Sequence, residues 1–212
     1  STTNSGSWLS LQTNINPTIT VVGTTNITGF LAGVSGGTNT LTFNSTGAIT
    51  LNNITNGIIS NFWNWGTLNF NAGTSAVNVT GSSAMTQNNF NTTWNLTGIA
   101  NITGNISSLT GATNTLNIND TANSTISGVL SGATILRKSG ANLLTVSGTN
   151  TYTAATNINA GTLQIGSAGS LGSGSYAGAI VVASGASFRY SSSAAQTLSG
   201  IISGAGAVTK DI

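Results

Sequence analysis

Residues 127–166 read SGVLSGATILRKSGANLLTVSGTNTYTAATNINAGTLQIG. Apolar residues two apart, Leu144 with Val146 and Leu163 with Ile165, alternate with polar ones, and Gly or Asn falls between the short runs. Successive side chains of a strand point to opposite faces, so this pattern predicts short strands that bury one face and are separated by turns. Helical periodicity is absent from the stretch.

The same grammar extends outward. Strands are expected around Trp8–Leu11, Thr18–Val22, Thr40–Phe43, Ile49–Leu51, Thr67–Phe70, Ala76–Val79 and Leu116–Ile118. Thr24–Thr46 aligns without gaps on Ile99–Thr121, sharing Asn-Ile-Thr-Gly and Thr-Asn-Thr-Leu, and Thr125–Lys138 aligns on Thr197–Lys210. The offsets, 75 and 72 residues, correspond to three solenoid turns of roughly 20 to 30 residues each. Roughly eight to ten turns are therefore expected, stacked about 4.8 Å apart into a rod of roughly 45 Å. Residues 1–120 are Asn/Thr-rich and carry no charge before Asp120, whereas residues 121–212 are richer in Ser, Ala and Gly. No linker parts the two regions. A single continuous solenoid over 1–212 is expected, as a fragment of a longer chain or one unit of an assembly.

Residues 127–166 closely resemble the passenger-associated repeat of bacterial autotransporters, the type V secretion family. The resemblance rests on Leu136, Lys138, Gly140, Leu144, Val146 and Gly148, then Asn150-Thr151-Tyr152-Thr153, then Asn159-Ala160-Gly161-Thr162-Leu163. Two positions depart from it: Asn142 stands where the family usually has Gly, and Ala154-Ala155 replace another Gly. The resemblance implies an all-β, right-handed parallel β-helix exported to the bacterial surface or beyond. It assigns Leu136, Lys138, Gly140, Leu144, Gly148, Tyr152, Gly161 and Leu163 to the structural core of the repeat.

Composition narrows the function. Charged residues are 3% of the chain, against roughly 25% in an ordinary soluble domain. Disorder is not expected, because 38% of residues are hydrophobic and the mean hydropathy is +0.20; disordered chains combine low hydropathy with high net charge. The net charge of +2 includes one adjacent basic pair, Arg137-Lys138, whose members point to opposite faces of a strand. No basic footprint for nucleic acid results. Cysteine is absent, and no apolar run approaches the roughly 20 residues of a membrane helix, so this segment is not expected to insert in a membrane.

Catalysis has few groups to use. There is no His, Cys or Glu, and the two carboxylates, Asp120 and Asp211, lie 91 residues apart, too far round a solenoid to act as an acid–base pair. Gly33-Val34-Ser35-Gly36-Gly37 fits the nucleophile-elbow pattern but has no His to serve it. The expectation is a non-enzymatic chain without cofactor or metal.

Two surface features remain. Trp63 and Trp65 share a strand face, with Phe90 and Trp94 about 30 residues on; these four form either a contact platform for sugars or another molecule, or part of the core. Asn is expected at turn corners or in hydrogen-bonded ladders between turns. The expected function is adhesion or self-association, the partner being another copy of the chain or a glycan or protein of a host or bacterial surface. The alternatives are an inert stalk bearing a toxin or enzyme elsewhere in the gene, and a filament or sheath subunit exported by another route.

Overall fold

The computed structural model describes residues 2–4, 9–10, 18–32, 40–56, 66–87, 91–108 and 113–211. Every named strand pairing in it is parallel, and the described residues contain no α-helix. The strands stack in three ladders wound as one coil. In the first, Thr18, Thr42, Asn69, Asn95, Asn117, Arg137, Asn157, Val181 and Ser203 stand one above another. The second runs through Asn26, Thr50, Asn78, Asn101, Thr125, Thr145, Gln164, Arg189 and Thr209. A third joins Met85, Ile106 and Leu130, and continues through the Tyr152 amide, which donates to the Leu130 carbonyl.

From Asn69 to Ser203 the first ladder steps by 26, 22, 20, 20, 24 and 22 residues. This is a parallel β-solenoid of about six turns, against the eight to ten expected. Thr18 and Thr42 extend the same ladder toward the N-terminal side, where residues 33–39 and 57–65 lie outside the described set.

Period-two patterning produces the core directly. In the strand Thr93–Ile102 buried and half-buried residues alternate without a break, and Asn114–Asp120 and Thr134–Lys138 follow the same rhythm. Inward positions align between turns: Leu41, Leu68, Trp94, Leu116 and Leu136 form one column, and Leu51, Val79, Ile102, Ile126, Val146 and Ile165 another. All are buried. Uneven turn lengths are absorbed at the corners, so the columns stay in register.

The first internal repeat matches this geometry: Thr42 and Asn117, 75 residues apart, lie three rungs apart in one ladder. The second does not. Ser127-Gly128 packs over Gly104 and under Gly148, whereas Ser199-Gly200 packs over Gly178 at a different corner. The offset of 72 residues therefore does not span whole turns. What it repeats is a Ser-Gly corner followed by two apolar residues, a unit that serves at any corner.

Those corners leave no room for side chains. A Cβ on Gly128 would lie 2.1 Å from the Gly104 carbonyl oxygen, and one on Gly148 would lie 2.4 Å from that of Gly128. Because the obstacle is backbone held by two ladders, it cannot step aside. Gly128→Ala is expected to destabilise by about 1–3 kcal/mol or more, measured as a lowered urea midpoint with unchanged slope.

Candidate functional site

The outer side of the first ladder is a regular polar array. Its rows are Thr40/Thr67/Thr93/Thr115, Thr42/Asn69/Asn95/Asn117 and Asn44/Asn71/Thr97/Asn119. Rungs repeat about every 4.8 Å and alternate residues about every 6.5 Å along each strand. None of the twelve is charged.

The middle row is locked by its own side chains. Asn69 Nδ2 donates to Thr42 Oγ1 (3.0 Å), Asn95 Nδ2 to Asn69 Oδ1 (2.8 Å), Asn117 Nδ2 to Asn95 Oδ1 (3.0 Å), and Ser139 Oγ to Asn117 Oδ1 (2.6 Å). Every donor points back to the preceding turn, so the dipoles align and reinforce one another. On the second ladder Asn101 donates to Asn78 (3.2 Å) and Asn78 to Thr50 (3.4 Å) in the same sense. The first ladder's amide row ends where Arg137 follows Asn117, close to the compositional boundary at residue 120. Asn150 shows the interior use of an amide. Fully buried, it accepts from the Leu130 amide (2.9 Å) and donates to the Gly148 (2.7 Å) and Ser170 (3.2 Å) carbonyls, tying three turns together.

Of the four aromatic contact candidates, Trp63, Trp65 and Phe90 lie outside the described residues. Trp94 is a correction. It is 2% exposed and stacks on Phe70 at 6.0 Å, which stacks in turn on Phe43 at 5.4 Å. It alternates with Asn95 and shares the inward face with Leu96, so the indole is core. The Gly33–Gly37 segment also lies outside the described residues.

The repeat residues sit as packing requires. Leu136, Leu144, Tyr152 and Leu163 are wholly buried, and Gly140, Gly148 and Gly161 occupy corners where a Cβ would strike the neighbouring turn. Asn142, Ala154 and Ala155 have ordinary backbone, which is why the departures from glycine are tolerated. Tyr152, Thr156 and Tyr176 form a buried hydroxyl chain, with Tyr152 Oη 2.7 Å from Thr156 Oγ1 and that atom 2.9 Å from Tyr176 Oη.

Burial pushes both phenols above the ordinary tyrosine range, Tyr152 well above it. Below about pH 10 the folded and unfolded chains hold these protons equally. Above it the unfolded chain loses them first, so stability should fall by about 1.4 kcal/mol per pH unit for each tyrosine. Urea midpoints measured above about pH 10.5 check this, and Tyr152→Phe should roughly halve the slope.

Lys138 is the one member of the repeat with chemistry to spare. It points inward between Ile118 and Ile158 in the column of the first ladder, while Arg137 points out. Its Nζ lies 2.7 Å from Asp120 Oδ1, and both side chains are completely buried. Nζ also donates to the Gly140 carbonyl, and to that of Ala160 at 3.4 Å. Burial lowers the amine's pKa, and the hydrogen bond and charge of Asp120 offset this in part. Asp211, the other carboxylate, accepts from Ser191 Oγ at 2.6 Å and pairs with Arg189 in the last described turn. The two acids thus serve separate partners.

No curated protein and no solved structure matches the chain. A family model, the passenger-associated-transport-repeat, matches residues 136–165. That segment covers a full step of the first ladder, Leu136 to Thr156, and one of the second, Leu144 to Leu163. The chain therefore carries, folded as about one and a half turns of its solenoid, the repeat that is characteristic of autotransporter passenger domains.

Proposed function

We propose that the chain is a β-solenoid segment of an exported bacterial surface protein and acts through its uncharged face, in adhesion or in association with further copies of itself. The passenger repeat at 136–165 supports export. The observation that carries the contact role is the Thr/Asn array spanning Thr40 to Asn119, ordered in two dimensions and pre-set by its amide row. Ordered side chains lose little entropy when a partner meets them. With no charge to screen, many weak polar contacts summed along a rod are insensitive to salt.

Particle size and cryo-electron microscopy at low and high salt test the self-association branch, beside binding screens against surface glycans. Sheets or filaments that persist at high salt are expected, or glycan capture with the same salt tolerance. Thr97→Lys places a charge in the outer array; facing copies should then separate at low salt and partly re-associate at high salt. Dispersed rods that capture nothing would leave the inert stalk as the reading. Salt-tolerant filaments from a gene lacking a membrane β-barrel would favour a sheath subunit.

A further inference from the structure

We propose that Lys138 and Asp120 become joined by an amide bond between Nζ and Cγ, a covalent staple between successive turns of the solenoid. Four observations carry it. The reacting groups are in contact at 2.7 Å, with both side chains sealed from solvent. The pair sits in the core column between Ile118 and Ile158, where two separated charges cost several kcal/mol each to bury. The second carboxylate oxygen, Asp120 Oδ2, is buried without a hydrogen-bond partner, an expensive state for a charged acceptor. Finally, the carboxylate is pressed against the corner: a Cβ on Gly140 would lie 1.9 Å from Oδ1, so the acid has no room to turn away from the amine.

The reaction needs no cofactor or oxidant. One proton passes from the Lys138 ammonium to the Asp120 carboxylate, giving a neutral amine and a neutral acid, the forms that a dry interior favours. The lowered pKa of the amine is in the same direction. The Nζ lone pair then forms a bond to Cγ; the C–OH bond breaks, and the departing oxygen takes a second proton from nitrogen and leaves as water. One N–H remains, within reach of the Gly140 carbonyl that already accepts from Nζ. Atoms and charge balance, since a zwitterionic pair of zero net charge becomes a neutral amide and one water. The product also resolves the orphan: of the two carboxylate oxygens one departs, and no unpaired anionic oxygen is left in the core. Fixed neighbours in such a site react as though at effective concentrations of order 10⁵ M or more, and exclusion of water opposes the reverse hydrolysis.

The test uses the unmodified chain, fully denatured. Its intact mass should be lower than the sequence mass by one water. Trypsin gives the decisive second reading, because the basic residues are Arg137, Lys138, Arg189 and Lys210 alone. After cleavage at Arg137, residues 1–137 and 138–189 should stay together as one branched species, and cleavage after Lys138 should be lost. Asp120→Ala and Lys138→Met should each restore the full mass. A wild-type chain of full mass overturns the proposal and leaves an ion pair. A mass deficit whose tryptic fragments separate overturns it too, since that is the signature of a cyclic imide at the Asp120–Thr121 peptide.

Discussion

Trp94→Ala is expected to lower stability by about 3–5 kcal/mol, the range for deleting a large buried aromatic. The upper part of that range applies here for a physical reason. A globular core softens such a loss by letting neighbouring elements drift together, but the rungs above and below Trp94 are held at the ladder spacing of about 4.8 Å by backbone hydrogen bonds along both strands. Leu68 and Leu116, its neighbours in the column, cannot close the gap. Phe70 also loses the ring stacked 6.0 Å away, and with it part of the run that reaches Phe43. Each turn of a solenoid contacts mainly its neighbours, so the damage should be local. Hydrogen exchange should rise for Thr67–Asn71 and Thr93–Ile102 and change little at Thr162–Ser167. A surface tryptophan would show neither effect, and a variant as stable as the parent would return Trp94 to the outer face.

Much of this arrangement can be read from the sequence, because a strand's two-residue period converts directly into inside and outside. Leu116 and Ile118, Leu144 and Val146, and Leu163 and Ile165 fall inward as the alternation requires. The same rule, applied from Leu96, puts Trp94 inward; grouping it with Phe90 by distance along the chain obscured this. Which residues meet between turns is harder to read, because successive turns differ by as many as seven residues, from 27 at Thr42–Asn69 to 20 at Asn117–Arg137. Asn69, Asn95 and Asn117 stack although their sequence spacings are unequal, with the corners taking up the difference. Asn is abundant in the chain, so composition announces ladders without saying which amides form them. The pairing of Lys138 with Asp120 was hidden for the same reason. Alternation from Leu136 and from Ile118 places both inward, but their meeting depends on a turn of 20 residues that sets Ile118 beside Lys138 and brings Asp120 round the corner to it.

Asp120→Ala should cost about 3–5 kcal/mol, because removing one member of a buried pair strands the other. The Lys138 ammonium would keep only the Gly140 and Ala160 carbonyls, amid Ile118, Leu136 and Ile158. Adding Lys138→Met to that variant should regain most of the loss, since an unbranched thioether fills the same channel without charge. Neither variant can form an amide between the two positions, so their difference reads the stranded charge alone. The pH dependence gives the same answer independently. Without its acid the folded amine is still easier to deprotonate than the unfolded one, whose pKa is about 10.4. Between those two values the unfolded state binds more protons, so the Asp120→Ala chain should gain stability as pH rises toward 10, while the double variant stays flat over the same window. Equal urea midpoints for the two variants at pH 7 would mean that water or a local opening reaches Lys138 once Asp120 is gone. The corner that closes over the pair would then be a lid held by the pair itself, and no longer a fixed wall of the solenoid.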